Sequence, residues 1–339
     1  MSRTPAPRLQ LGFAGAHGCP VPHVSVDGMT PSGPNLSHWP GNRTPVQWKA
    51  DLSTAIALRF ARAPIAEQEA FLRDAQFVVN DHYDTDGFGS LLAVLRPELA
   101  TAREEVLLAA AATGDFGTWQ TWRGFAIDRI VARLAKPQSP VFGAFAGVTS
   151  PDELSLRRYA WLLEHATAVL DDPHAFAALY VEEMAHVQHE IEQGQRGAID
   201  RRRWPQLGFA RLTSNGPRHR MTLNTLSGAF RLLHVENGGG GKRYRYHDRT
   251  ESWFELVTIQ PMPRVDLRPL AEHLAALEPG HDGACWNADP PASPIPELWF
   301  GAPSEQEYGQ VTRELRESRL PVDRVTAAFT SFFAEASSS

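Results

Sequence analysis

The chain has 339 residues, with 33 Lys and Arg against 39 Asp and Glu and a formal net charge of -6. That length accommodates one large or two ordinary domains with a sizeable core, and an acidic balance without a dominant basic face gives no electrostatic ground for nucleic-acid binding. Its two cysteines, Cys19 and Cys285, lie far apart without a paired ligand pattern, which argues against a disulfide framework or a cysteine zinc site and fits a reducing cytoplasm. The apolar stretch Leu9 to Ala14 is interrupted and far short of the ~18 residues a membrane span needs, so neither signal peptide nor anchor is expected.

Residues 1–22 are rich in Pro, Gly and Ala without periodicity, and 334–339 end in small polar residues; both segments are expected to be flexible. His23 to Gly28 alternates as a strand and ends in a turn pair, and Asn35 to Trp39 reads as a second short strand. Leu52, Ile56 and Phe60 mark an amphipathic helix over Lys49 to Arg62. Phe77-Val78-Val79 then reads as a buried strand, and helical patterns follow over Gly89–Leu95, Thr101–Ala112, Trp122–Leu134 and Leu154–Leu170. Beyond residue 200, Gly208–Thr213, Phe230–Glu236, Lys242–His247 and Ser252–Ile259 are short, aromatic and branched, as in a small antiparallel sheet, with Asn237 to Gly241 as a hairpin. Leu267–Leu277 returns to helical spacing. The expected fold is α/β: a strand-helix domain over 23–200 with a helical middle, then a smaller α+β domain over 201–333 with antiparallel strands that contributes to substrate binding.

The most informative segment is Asn80-Asp81-His82-Tyr83-Asp84-Thr85-Asp86-Gly87, where His82, Asp84 and Asp86 alternate directly after the buried strand. Alternation aims them at one point, and the carboxyl end of a strand is where open α/β sheets place their ligands. Imidazole with two carboxylates suits Mn²⁺, Fe²⁺, Zn²⁺ or Mg²⁺, and such an ion activates water or stabilises a developing oxyanion. The competing expectation is that Asp84 and Asp86 cap the next helix while His82 packs on the sheet.

This segment resembles the first motif of the DHH-type phosphoesterases, a strand followed by His or Asp, a spaced Asp pair, Gly and a helix. The Asp-His-His triplet and the glycine-rich His motif of those enzymes are absent here. More of the chain resembles an uncharacterised bacterial family through Ser37 to Asn42, Lys49 to Ser53, His82 to Gly87, Gly114 to Gly117 and a looser arrangement around Tyr246 and Trp253. That likeness brings no known activity.

Further candidates support the acidic segment. Asp115, flanked by Gly114 and Gly117, offers another carboxylate at a helix end, or a cap for the following helix. Glu183, His186 and Glu190 border the apolar stripe of a helix over Phe176 to Gln193, and a Glu-x-x-His pair is a recurring inward-facing ligand arrangement. The expected metal ligands are therefore His82, Asp84, Asp86, Asp115, Glu183 and His186, holding one or two ions, with His82, Asp84 and Asp86 catalytic. For an anionic substrate, the candidates are His38, Arg218, His219, Asn224, Arg243 and Arg245.

The leading expectation is a cytoplasmic metal-dependent hydrolase of a small anionic substrate, such as a phosphoester, using a metal-activated water. The alternatives are a non-haem iron oxidoreductase, or a non-catalytic protein whose sheet presents Tyr244, Tyr246 and Trp253 to a small molecule or partner. No membrane or nucleic-acid partner is expected.

Overall fold

In the computed structural model, residues 9–15, 18–280, 283–303, 305–307 and 310–336 are described. The terminal segments 1–22 and 334–339 fall partly outside these residues. Inside them, Gln10–Phe13 is a strand and the last helix runs to Ala336. The chain forms two compact units, 1–186 with 254–259, and 187–253 with 260–339, whereas the sequence placed the change of character near residue 200.

The first unit is built on strands β1 (Gln10–Phe13), β2 (His23–Val26), β3 (Asn35–Leu36) and, after helices α1 (Ser53–Ala61) and α2 (Ile65–Leu72), β4 (Phe77–Asn80). All pair parallel in the order β1-β4-β2-β3. Parallel strands buried on both faces need near-continuous apolar side chains, and Val24, Val26, Val78 and Val79 are fully buried. Helices α3 (Thr85–Leu95), α4 (Pro97–Thr101), α5 (Glu104–Phe116), α6 (Trp122–Arg133), α7 (Pro151–Glu164) and α8 (Ala166–Asp171) make the helical middle, and the division between the units falls inside α9 (Val181–Gln193).

Helix α3 starts earlier than its apolar run suggests because Asp84 caps it, accepting from Gly87 N at 2.8 Å. Gly87 is needed there for close approach: a Cβ would stand 2.2 Å from Asn80 Nδ2 and 2.4 Å from the Tyr159 hydroxyl. Helix α5 stops at Gly117, which takes the left-handed conformation open to glycine.

The second unit contains β5 (Asp200–Trp204), β6 (Phe209–Asn215), α10 (Arg220–Ser227), β7 (Arg231–Asn237), β8 (Lys242–Asp248), α11 (Arg268–Leu277), β9 (Cys285–Ala288), β10 (Glu297–Gly301), β11 (Glu305–Glu307), β12 (Gln310–Thr312) and α12 (Val322–Ala336). Six strands form one sheet in the order β5-β6-β7-β8-β10-β9, antiparallel except where α10 connects parallel β6 and β7. Gly238 N donates to Gly241 O at 3.1 Å, closing the expected hairpin. Ser252–Ile259 is not a strand: β8 ends at Asp248, and Phe254–Ile259 belongs to the first unit.

Alternation along β7 and β8 sends Leu233, Val235, Tyr244 and Tyr246 into a core with α11 and α12, closed by Trp286, Phe329 and Phe333. Tyr244 and Tyr246 are fully buried, which removes them as a surface offered to a partner. The opposite face holds Leu232 in a smaller core under α10, together with His234 and His247. No helix among the described residues is long and apolar enough to cross a membrane.

His234, bonded to Ser214 at 2.8 Å, has its pKa lowered from 6.5 to about 4, first by burial and then by Arg218 and Arg245. The unfolded chain therefore binds more protons between pH 6.5 and 4. Stability from this group is complete above pH 6.5 and falls by about 3 kcal/mol as pH drops to 4. Urea midpoints of the wild type should fall across this window, and His234→Gln should flatten the fall.

Candidate metal centre

Three neighbouring strands end on the same side of the parallel sheet, and each delivers a polar residue there. Asp27 follows β2, His38 follows β3 by one residue, and Asp81, His82, Asp84 and Asp86 follow β4. The last turn of α5 adds Asp115. Two groups of donors result, Asp27-His38-Asp86-Asp115 and Asp27-His82-Asp84, each with ligand atoms within 4.8 Å of one another. Asp27 belongs to both.

His38 is fixed by its backbone surroundings. Its Nδ1 lies 2.7 Å from the Asp51 carbonyl, which can only accept, so Nδ1 carries the proton and a neutral ring turns the Nε2 lone pair inward. Nε2 is buried without a hydrogen-bond partner, although Asp115 Oδ2, Asp86 Oδ2 and Asp27 Oδ1 stand 3.3, 3.7 and 3.9 Å away. A lone pair facing carboxylates is repelled unless a proton or a metal cation lies between them. A divalent ion with bonds of about 2.0–2.2 Å keeps its donors roughly 3–4 Å apart, the spacing found here.

The second group is more accessible. His82 sits between Asp81 Oδ1 at 2.7 Å on Nδ1 and Asp27 Oδ2 at 3.0 Å and Asp84 Oδ2 at 3.1 Å on Nε2. The two oxygens of Asp27 thus turn to different groups, as a carboxylate bridging two ions would. Asp27 itself adopts a left-handed φ of 62°, uncommon outside glycine and typical of functional sites. Asp84 serves both expectations for the segment, capping α3 with Oδ1 and facing His82 with Oδ2.

Crowding sets the protonation of the cluster. Burial, then Asp84, pushes Asp27 up to about 8, and burial, then Asp86, Asp84 and Asp27, holds Asp115 well above the carboxylate range. Burial also penalises charge on His82, but Asp84 and Asp27 outweigh it and raise its pKa; burial would raise Asp84, but His82 outweighs that and lowers it. Burial lowers the pKa of His38. Asp86 takes Ser53 N and Thr54 N at 2.7 Å each, the first amides of α1, where a helix N-terminus favours an anion. Asp115 sits near the C-terminus of α5, which also disfavours a negative charge there.

An arm of irregular chain, Phe254–Ile259, closes the His38 group from above. Phe254 stacks on the His38 ring with centroids 3.8 Å apart, and Glu255 N donates to His38 O at 2.7 Å. The Glu255 carboxylate accepts from Gly41 N at 2.7 Å and from Asn42 Nδ2 at 2.8 Å, and pairs with Lys49 at 3.0 Å. Asp51, whose carbonyl orients His38, accepts with its carboxylate from Val257 N at 2.6 Å and Thr258 N at 2.9 Å. Trp39 packs beside His82 with centroids 4.9 Å apart.

The sequence-derived ligands His82, Asp84, Asp86 and Asp115 thus come together. His38, expected to touch substrate, joins them as a donor. Glu183 and His186 do not: two guanidiniums, Arg129 at 3.1 Å and Arg133, claim the Glu183 carboxylate, and neither residue is in either donor group. Glu190 instead accepts from His219 N and Thr222 Oγ1 at 2.8 Å each. Arg218, His219, Asn224, Arg243 and Arg245 lie in the second unit. Asp27 is a candidate donor absent from the sequence expectation, although His23 to Gly28 is a buried strand followed by Asp and Gly.

The chain belongs to a family described as "Family of unknown function (DUF6687)", whose model matches residues 10–339. No curated protein and no solved structure matches it.

Three results are expected from manganese loading followed by elemental analysis and calorimetry. Asp27→Asn should lower occupancy of both donor groups, whereas His38→Gln should remove one ion and keep the other. Phe254→Ala, which frees the His38 ring, should weaken the ion at that group about tenfold or more and leave the His82 group unchanged.

Proposed function

We propose that this chain is a metal-dependent hydrolase acting on a small anionic substrate such as a phosphoester. The observation that carries the reading is the buried Nε2 of His38, without a hydrogen-bond partner and ringed by carboxylates, beside a second donor group that shares Asp27. Ions at these groups would supply charge neutralisation and water activation near neutral pH. His82 and Asp84 would hold one, His38, Asp86 and Asp115 the other, and Asp27 both.

The protein's own part is orientation. Asp81 fixes the His82 ring through Nδ1, and the Asp51 carbonyl and Phe254 fix His38, so the ligands are held in place before any ion binds. The all-oxygen and nitrogen donor set suits Mn²⁺, Mg²⁺, Fe²⁺ or Zn²⁺. The likeness of His82 to Gly87 to the first motif of the DHH-type phosphoesterases supports a phosphoester. The Asp-His-His triplet of those enzymes is missing here, and Asp27 and His38 join the cluster from the ends of β2 and β3 instead. Because the same donors also hold non-haem iron, a redox reaction is the second reading. The two free cysteines fit a cytoplasmic setting.

The test is hydrolysis of chromogenic phosphate mono- and diesters by metal-stripped protein reloaded with single metals. Activity should return with Mn²⁺ or Mg²⁺ and fall on the order of 10³-fold in Asp27→Asn and Asp86→Asn. If no metal binds, the assignment fails; if only iron restores turnover and oxygen is consumed, the redox reading replaces it.

A further inference from the structure

The face of the second sheet turned away from its aromatic core carries a concentration of cations. Alternation places His234 on β7 and Arg243, Arg245 and His247 on β8 together on this face, and the strand register sets His234 beside Arg245 and His247 beside Leu232 and Glu297. Helix α10 adds Arg220 in its first turn and Asn224, which bonds His247 Nε2 at 2.8 Å. Arg218 precedes the helix, and Arg249 follows β8 and approaches the Asn224 carbonyl at 3.4 Å.

Counting partners isolates one cation. Arg218 pairs with Glu190 at 3.5 Å, Arg243 with Glu236 at 2.8 Å, Arg245 with both oxygens of Glu297 at 2.9 and 2.7 Å, and Arg249 with Glu251. The Arg220 guanidinium makes no hydrogen bond or ion pair among the described residues, although Glu297 and Glu251 act on it electrostatically. Arg220 is exposed, and it lies one turn before Asn224 on α10, the residue bonded to His247. The two histidines register the resulting field. His247 is held well below its ordinary pKa by burial, then by Arg220, Arg245 and Arg249, and His234 by burial, then by Arg218 and Arg245.

We propose that Arg220, with Arg245, Arg249 and the two histidines around it, forms a binding site for a phosphate group. A guanidinium offers paired donors matched to phosphate oxygens. Arg220 supplies the uncommitted donors from the helix start, while Arg245 and Arg249, held by Glu297 and Glu251, stand beside it. This deepens the reading of the substrate as anionic and rests on it for the choice of phosphate over other oxyanions.

The test is calorimetric titration of the full-length protein with inorganic phosphate in EDTA, at constant ionic strength, so that no metal contributes. Saturable binding should survive in Asp84→Asn with Asp86→Asn, weaken about tenfold or more in Arg220→Ala and in Arg220→Gln, and recover in part in Arg220→Lys. Circular dichroism checks that each variant is folded. Absence of saturable binding, equal binding by Arg220→Ala, or loss of binding in the Asp84/Asp86 variant overturns the proposal. None of these outcomes bears on metal loading or hydrolysis, which the earlier experiments read separately.

Discussion

The His38 half of the first unit's polar centre depends on one hydrogen bond, from His38 Nδ1 to the carbonyl of Asp51. It commits the imidazole to one tautomer and turns its remaining lone pair toward Asp27, Asp86 and Asp115. Left alone, this is a poor way to build a core. Two carboxylates about 4 Å apart repel by roughly 4 kcal/mol at an effective dielectric near 20, and burial adds to the cost. The protein offsets part of it with the α1 amides on Asp86 and by keeping Asp27 and Asp115 inclined to hold protons. Amides or apolar groups would be less costly here, so the cluster marks a candidate functional site rather than a stabilising one.

The sheet makes this convergence possible. In a parallel sheet all strands finish on one side, and the order β1-β4-β2-β3 puts the ends of β2 and β4 next to each other. Asp27 therefore meets His82 and Asp84 without any sequence proximity, and β3 carries His38 to the far side of Asp27. The close approach of α3 to Asn80 and Tyr159, permitted by Gly87, draws Asp84 and Asp86 up against the strand ends.

What the sequence made legible follows from this geometry. The β4-α3 segment was readable because its strand, cap and ligands are contiguous, so alternation and capping chemistry suffice. Asp27 and His38 were present as an isolated strand end and a candidate substrate contact; their joining depends on β4 inserting beside β2, which no local spacing encodes. Glu183 and His186 show the converse limit. Glu-x-x-His spacing is identical for a metal pair and for an acid that answers arginines, and only the packing of α6 brings Arg129 and Arg133 to Glu183. The α/β class, the helical middle and the largely antiparallel second sheet were all legible, because period and turn chemistry survive tertiary context there.

The segment Ser252–Ile259 shows why the domain boundary was harder to read than the elements. Its aromatic and branched residues have the composition of a strand, yet its amides are taken by the side chain of Asp51 and the carbonyl of His38 rather than by a ladder. Composition reports that a segment is to be buried, not which backbone will satisfy its hydrogen bonds. The consequence for the site is direct. His38 takes its tautomer from Asp51 and its ring position from Phe254, more than two hundred residues further on. A division of the chain near residue 200 would keep all six grouped donors and discard the arm that holds one of them, so the centre's integrity extends beyond the segment that contains its ligands.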